Sequence, residues 1–227
     1  MSELEIPLRG GLIALVPGVL MSAFDEVFLR EVYAQALSPP LRSVPVAVDV
    51  GAHVGLFATW AARQARDARV FSFEAHPVNF KLLTENISQN RLDRVTAYHQ
   101  AVSGSGGTAR LYEHEEGYGG NSLYKEHVKQ EREKYLDVPS TTLDDIVRDH
   151  GIQKIDLLKL DCEGAEYEIL YKASPDTLRK VRRIGLEYHR VPGQSVAGLQ
   201  DYLAKQGFRC RLAGAEPVLY AWREERA

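Results

Sequence analysis

The stretch Val46-Ala47-Val48-Asp49-Val50-Gly51-Ala52-His53-Val54-Gly55 decides the fold. Its first five residues are apolar except for Asp49 and too few for a helix. They end in a glycine-bearing turn and pass directly into a helically spaced segment, residues 54–65. Glycine at Gly51 lets the backbone approach a ligand closely, and glycine at Gly55 lets the helix pack tightly on the strand. A strand, turn and helix of this kind form a nucleotide-binding turn at the carboxyl edge of a sheet.

Outward from this unit the same alternation repeats. Short apolar runs at residues 70–73, 95–98, 155–160 and 184–186 each end in a polar turn, and helically spaced segments occupy residues 77–90, 142–149, 165–173 and 196–206. Alternating strands and helices predict an α/β fold with a parallel sheet covered on both faces. Residues 208–212 and 218–222, separated by Ala213-Gly214-Ala215-Glu216-Pro217, predict a closing antiparallel hairpin. Near the other end, residues 12–16 read as a strand and residues 22–37 as an amphipathic helix with Ser22 as N-cap, so residues 1–44 are expected to cover the ligand cleft. Residues 103–140 hold Gly104, Gly106, Gly107, Gly117, Gly119 and Gly120 around a strand-like run at 108–112, followed by a charged helical stretch. They are expected to form an insertion or lid over the site.

The 227 residues show no break into halves, and one core serves a chain of that length, so residues 1–227 are expected to form a single domain. An apolar fraction of 44% and a charged fraction of 26% exclude disordered and collagen-like chains. The net charge of -3, and the mixed signs of the dense charge run at residues 125–134, give no footprint for a polyanion, so no nucleic-acid partner is expected. No apolar stretch approaches the roughly 20 residues that span a bilayer. The first residues carry acids where a signal peptide carries bases, which predicts a cytoplasmic protein without a membrane partner. Cys162 and Cys210 have no metal-type spacing and read as buried thiols.

The chemistry sits at the strand ends. A dinucleotide fingerprint would put glycine where Asp49 stands, and a carboxylate there repels phosphate. Asp49 suits a ligand with a cationic head, which the amino group and sulfonium of S-adenosylmethionine provide. Glu74 ends the second strand about 25 residues further on, where an acid binds ribose hydroxyls in such sheets. Gln100 and Ala101, at the third strand end, lie where an adenine would be reached. After the fourth strand, Asp161, Glu163 and Glu166 crowd one turn, and the repulsion among them has to be relieved by protons, a cation or helix N-terminal amides. Glu163 and Glu166 also suit the dipole of the following helix. The fifth strand ends in Glu187-Tyr188-His189 on the same edge.

Together these residues resemble the FkbM family, a branch of the class I Rossmann-like methyltransferases. The resemblance rests on Asp49-Val50-Gly51-Ala52-His53-Val54-Gly55, on Phe73-Glu74-Ala75-His76-Pro77 with Asn79-Phe80, on Thr142-Leu143-Asp144-Asp145, and most specifically on Leu158-Lys159-Leu160-Asp161-Cys162-Glu163-Gly164-Ala165-Glu166. His53 stands where the family has asparagine, and Ala75-His76 where it has Pro-Asn. The resemblance implies a mostly parallel seven-stranded sheet with an antiparallel C-terminal hairpin, and S-adenosylmethionine as methyl donor. Asp49, Gly51, Ala52, His53, Gly55, Glu74, Gln100, Ala101 and Asp161 would hold the donor. It also implies transfer to oxygen, often on natural products or sugars. The turn Asp161-Cys162-Glu163-Gly164 is not the Asn/Asp-Pro-Pro-aromatic turn common in amino-group methyltransferases of this fold.

Catalytic candidates are His189, Asp161 and Glu187. His189 has an unperturbed pKa near 6.5 suited to taking a hydroxyl proton, and Glu187 could orient it. Alternatively, Asp161, Glu187 and His189 could hold a divalent metal, although none is expected, or His189 could only orient substrate. Rival readings are an RNA or protein methyltransferase, a nicotinamide-dependent oxidoreductase and an inactive binding domain. Asp49 opposes the oxidoreductase, and acids at four strand ends oppose the inactive domain.

Overall fold

A computed structural model describes residues 3–37, 45–64, 67–114, 119–128, 134–214 and 216–224. The chain opens with the hairpin β1 (Glu3–Pro7) and β2 (Ile13–Pro17), then a helical segment whose α-helical part is α1 (Met21–Phe24). Next come β3 (Val46–Val50), α2 (Leu56–Gln64), β4 (Arg69–Glu74), α3 (Pro77–Gln89) and β5 (Val95–His99). Three further strands follow, β6 (Ala101–Val102), β7 (Gly107–Tyr112) and β8 (Tyr135–Thr141). The C-terminal part holds α4 (Leu143–Asp149), β9 (Leu157–Leu160), α5 (Glu166–Lys172), α6 (Pro175–Lys180), β10 (Arg183–Glu187), α7 (Val196–Lys205), β11 (Arg209–Leu212) and β12 (Val218–Trp222).

Seven strands form the main sheet in the order β11-β12-β10-β9-β3-β4-β5. The pairs β10 with β9, β9 with β3, β3 with β4 and β4 with β5 are parallel, whereas β12 runs antiparallel to both neighbours. The expected mostly parallel sheet with its antiparallel C-terminal hairpin is therefore present. Side chains alternate between the faces because a strand has period two. Val48, Phe71, Leu158 and Leu160 pack with Ile146, Leu170 and Leu203 on one face, while Ala47, Val70 and Leu157 pack with Phe57, Trp60 and Leu83 on the other. Among the described residues no helix is long and apolar enough to cross a membrane.

The local start signals hold where a side chain closes the helix end. The Thr142 side chain accepts from Asp145 N, Ser174 from Thr177 N and Ser195 from Gly198 N. The second predicted helix begins two residues late, at Leu56, because Gly55 takes φ +86. The predicted fourth strand is shorter, with Ile155 making an isolated bridge to Val181. Strand β1 and helix α6 were not foreseen.

Two regions differ more. Residues 22–37 are not one helix capped by Ser22. A 3-10 turn at Gly18–Leu20 leads into α1, with Ser22 inside it, then a π turn spans Asp25–Leu29 and a 3-10 stretch spans Val32–Leu37. Glu31, at φ +47, breaks the run. The apolar face survives this, since Phe24, Val27, Tyr33 and Ala36 are all buried. The expected insertion is a second, three-stranded sheet in the order β6-β8-β7, and its charged stretch contributes only a 3-10 turn at Lys125–His127. Leu136, Val138 and Ser140 alternate inward, a strand period that the flanking charges obscure. Residues 38–44, Ala65, 115–118 with Gly117, 129–133 and Ala215 lie outside the described residues.

The N-terminal hairpin is fastened by two asparagines one turn apart, Asn86 in the last turn of α3 and Asn90 at its C-cap, which serve as a partner for the edge of β2. Asn86 Oδ1 accepts from Leu15 N at 2.7 Å, and its Nδ2 donates to Leu15 O and Val54 O at 2.9 and 2.8 Å. Asn90 Oδ1 accepts from Ile13 N at 2.6 Å, and its Nδ2 donates to Ile13 O at 2.7 Å. Asn86→Ala orphans three backbone groups, one buried and two partly buried, and is expected to cost about 2–4 kcal/mol, a loss that chemical denaturation measures. Hydrogen exchange should show the loosening concentrated at residues 13–17.

Candidate active site

The strand order reverses at β3, with β4 on one side and β9 on the other, and ligands bind α/β sheets outside the strand carboxyl ends at such a point. A cavity of about 280 Å³ opens there. Gly51 and His53 form its floor, and Phe73, Glu74, Ala101 and Val102 form one wall. Asp161, Cys162, Glu163 and Glu187 stand opposite, with Ala23 and Glu26 at one end and Gly119, Gly120, Asn121 and Leu123 at the other. A smaller cavity of about 40 Å³ adjoins it and reaches Ala52, Tyr33 and Lys159.

The floor is shaped by close approach. Gly51 has φ +72, and a Cβ there would lie 1.8 Å from the carbonyl oxygen of Asp161. Gly55 does not reach the larger cavity; a Cβ on it would lie 2.7 Å from Leu83 Cδ1, so its bareness serves packing of α3 on the turn. His53 takes φ +53, a region that asparagine, aspartate and histidine visit more readily than other side chains. Its amide donates to Glu74 Oε2 at 2.8 Å, and His76 N donates to Glu74 Oε1 at 2.8 Å. Glu74 is thereby fixed at the cavity wall, and burial pushes its pKa up to about 7 in spite of those two amides.

Beneath the floor lies a buried ammonium. Lys159 is 3% exposed, and its Nζ donates to Gly51 O at 2.5 Å and Val50 O at 3.3 Å. It also stands 3.4 Å from Asp49 Oδ1 and 3.6 Å from Asp161 Oδ2. Asp49 is fully buried, accepts from Ser72 Oγ at 3.3 Å and does not line either cavity, so the acid expected to meet the ligand's cationic head instead holds Lys159. Burial raises its pKa. Burial acts on Asp161 in the same sense, but Lys159, His189 and the Tyr33 hydroxyl, which donates at 3.3 Å, bring its pKa below the usual range.

On the far wall Glu166 organises the turn. Fully buried, it accepts from Cys162 N at 3.0 Å and from Gly164 N at 3.0 Å, and it meets His189 Nδ1 at 2.9 Å. It is thus a clamp within the turn as well as a first-turn acid. The other nitrogen of His189 lies 3.2 Å from Glu163 Oε2 and 3.8 Å from Glu187 Oε1. Burial opposes the charge, yet Glu166 and Glu163 push the His189 pKa up to about 10. His189 is therefore an imidazolium at neutral pH with both nitrogens engaged. It does not line the cavity. Among the described residues no set of three or more His, Cys, Asp or Glu side chains converges to hold a metal. Glu187 does reach the cavity, and burial together with Asp161 and Glu26 raises its pKa to about 8.

Of the residues expected to bind the donor, Gly51, His53, Glu74, Ala101 and Asp161 line the larger cavity and Ala52 the smaller. Asp49, Gly55 and Gln100 line neither. Sequence reasoning missed Lys159, Glu26 and Tyr33. Lys159 carried a signal, because a lysine between Leu158 and Leu160 in a fully buried strand requires carboxylate partners.

This sheet order, with one reversed strand and a cleft at the β3 carboxyl end, defines a class I methyltransferase fold. Precorrin-6y C5,15-methyltransferase from Geobacter metallireducens GS-15 shares it with a TM-score of 0.53 at 14% identity, over 86% of this chain and 88% of that one. Residues 49–210 match the family model described as the methyltransferase FkbM domain. The chain belongs to the FkbM methyltransferase family. It is 31% identical over 191 residues to methyltransferase sdnD of Sordaria araneosa, covering 72% of this chain and 73% of that protein. It is 26% identical to the 31-O-demethyl-FK506 methyltransferase FkbM of Streptomyces tacrolimicus, covering 75% of each.

His189 gives the site a stability signature. Between its unfolded value of 6.5 and its folded value of about 10, the folded chain holds a proton that the unfolded chain has released. The contribution is complete below about pH 6.5 and lost as the pH climbs through about 10. Melting temperature measured from about pH 7 to 10 is expected to fall less steeply in His189→Gln than in the unaltered protein; equal slopes would remove the imidazolium.

Proposed function

We propose that this methyltransferase uses S-adenosylmethionine to methylate a hydroxyl of a small natural product or sugar-like molecule. The observation that carries this reading is the charge of the cleft. Among the described residues lining the larger cavity, Glu26, Glu74, Asp161, Glu163 and Glu187 carry carboxylates and none is lysine or arginine. Such a wall suits a cationic donor and a neutral acceptor, and it opposes the phosphates of nicotinamide dinucleotides and RNA.

The donor set fits the cofactor. Glu74 keeps lone pairs beyond the two amides that hold it, and these suit ribose hydroxyls. Ala101, Val102 and Leu111 offer an apolar surface for the base, and Asp161 faces the cationic end. When bound, the cofactor supplies a methyl group already activated on a sulfonium. The chain's own task is then to align the acceptor oxygen, exclude water and take the acceptor proton. Gly119–Asn121 and Leu123 close the cavity beside Glu163 and Glu187, consistent with residues 103–140 forming the acceptor-side wall or lid.

Glu187 is the base in this reading. A carboxylate with its pKa at about 8 takes a proton more readily than an ordinary one, and its ionised, proton-accepting form, about a tenth of the total at pH 7, grows as the pH rises through about 8. His189, held beside it, positions Glu163 and Glu187 by charge. The oxygen preference is supported by the name of the Streptomyces relative and by the absence of an amine-receiving turn at Asp161-Cys162-Glu163-Gly164.

Two measurements test this. Glu74→Ala is expected to weaken S-adenosylmethionine binding about tenfold to a hundredfold in calorimetry, and unchanged affinity would remove the ribose assignment. Glu187→Gln is expected to lower kcat about a hundredfold or more at nearly constant donor affinity, and the rising limb of the unaltered enzyme's pH profile near pH 8 should disappear. A limb that persists in Glu187→Gln would assign the base to another group.

A further inference from the structure

Glu26 is a charged side chain on a π turn, Asp25–Leu29, in a segment that precedes the family-matched residues 49–210. Single π turns widen a helix and recur at functional sites. Here the turn carries Glu26 to the boundary between the two cavities, where Ala23, Glu26, His53 and Asp161 line both. Its Oε1 is buried and has no hydrogen-bond partner. The Tyr33 hydroxyl is within reach of Glu26 but has one proton, and that proton is shared with Asp161 Oδ2 at 3.3 Å. Among the described residues lining either cavity, Lys159 is the only cation apart from histidine, and its ammonium is already shared by Asp49, Asp161 and two carbonyls.

A buried carboxylate oxygen without a donor is costly, and three carboxylates around one ammonium leave positive charge wanting. We propose that Glu26 is a donor-binding residue whose free oxygen, with Asp161 beside it, accepts hydrogen bonds from the α-ammonium of the methyl donor's methionine portion. An ammonium brings three N–H donors and one positive charge to the place where both are lacking. The smaller cavity, bounded by Ala52, His53 and Lys159, then takes the amino-acid end of the donor, and the larger cavity takes the adenosine end and the acceptor. The N-terminal segment is part of the binding site, and the asparagine clamp on β2 supports it.

This assignment rests on the S-adenosylmethionine reading and is separable from it. Two probes are used in calorimetry: S-adenosylhomocysteine, which has the α-ammonium, and 5′-methylthioadenosine, which has the nucleoside and sulfur without the amino acid. Glu26→Gln is expected to weaken S-adenosylhomocysteine about tenfold or more while leaving 5′-methylthioadenosine within about twofold. Glu74→Ala should weaken both. Unchanged S-adenosylhomocysteine affinity in Glu26→Gln, or an equal loss for both probes, would overturn the assignment and leave the donor reading intact. Failure of the unaltered protein to bind either probe would overturn the donor reading and the assignment with it. Glu26→Asp, which keeps the charge on a shorter arm, is measured alongside in case the Gln variant does not fold. A smaller loss confined to S-adenosylhomocysteine is expected, and a loss without that selectivity counts against the proposal.

Discussion

The site depends on one buried cation. Lys159 sits in the middle of the main sheet with apolar neighbours on both sides, where an unpaired ammonium would be severely destabilising. Two carboxylates and two carbonyls surround it, and every one of them belongs to the end of β3, to Gly51 just after it, or to the residue that follows β9. The ammonium therefore ties the two strand ends that flank the crevice. Asp161 N also donates to Val50 O at 3.2 Å, and the Asp161 carbonyl comes so close to Gly51 that a side chain there is impossible. The floor is rigid because its charge balance and its sterics require the same geometry.

From that fixed point the acids acquire different characters. Asp161, near Lys159 and His189, is held ionised, whereas burial raises Glu74 to about 7, and burial together with the charges of Asp161 and Glu26 raises Glu187 to about 8. Environments that push neighbouring carboxylates apart allow one to stay charged while another exchanges protons. The imidazolium of His189 belongs to the same arrangement. By pairing with Glu163 and Glu166 it keeps the acid-rich turn from repelling itself, and the wall segment docks onto that turn. Ser122 Oγ donates to Glu163 O at 2.5 Å, and the His127 ring packs against Gly164, where a Cβ would lie 2.7 Å from its Cε1.

The fold was legible because its signals were redundant. Apolar runs, polar turns and glycines near Gly51 all pointed to an α/β sheet, and the motif around Asp161 fixed the kind of sheet. The strand ends correctly located Glu74, Ala101, Asp161 and Glu187 at one cleft. What strand position does not encode is the direction of a side chain at the last residue. Asp49 and His189 lie at predicted strand ends, yet one points down to Lys159 and the other back to Glu166. A histidine's unperturbed pKa is equally uninformative once two carboxylates face it. The second sheet was hidden for a different reason. Its strands pair Gly107–Tyr112 with Tyr135–Thr141 across a charged stretch, and no periodicity within either strand announces the other.

The irregular N-terminal segment follows from the same constraints. A regular helix over residues 22–37 would keep a single stripe against the sheet, as its apolar pattern suggests. The observed chain must instead bury Phe24, Val27, Tyr33 and Ala36, set the Tyr33 ring 5.8 Å from Lys159 Nζ, and carry a carboxylate to the cavity boundary. These demands fall at angles that 3.6 residues per turn do not supply together. The π turn at Asp25–Leu29 and the left-handed Glu31 resolve them, at a cost in helical regularity that the Asn86 and Asn90 clamp and the buried aromatic contacts offset. Broken helical geometry beside a charged cleft is therefore evidence about the cleft: the backbone departs from its preferred form where side chains from one segment have to meet both a core and a ligand.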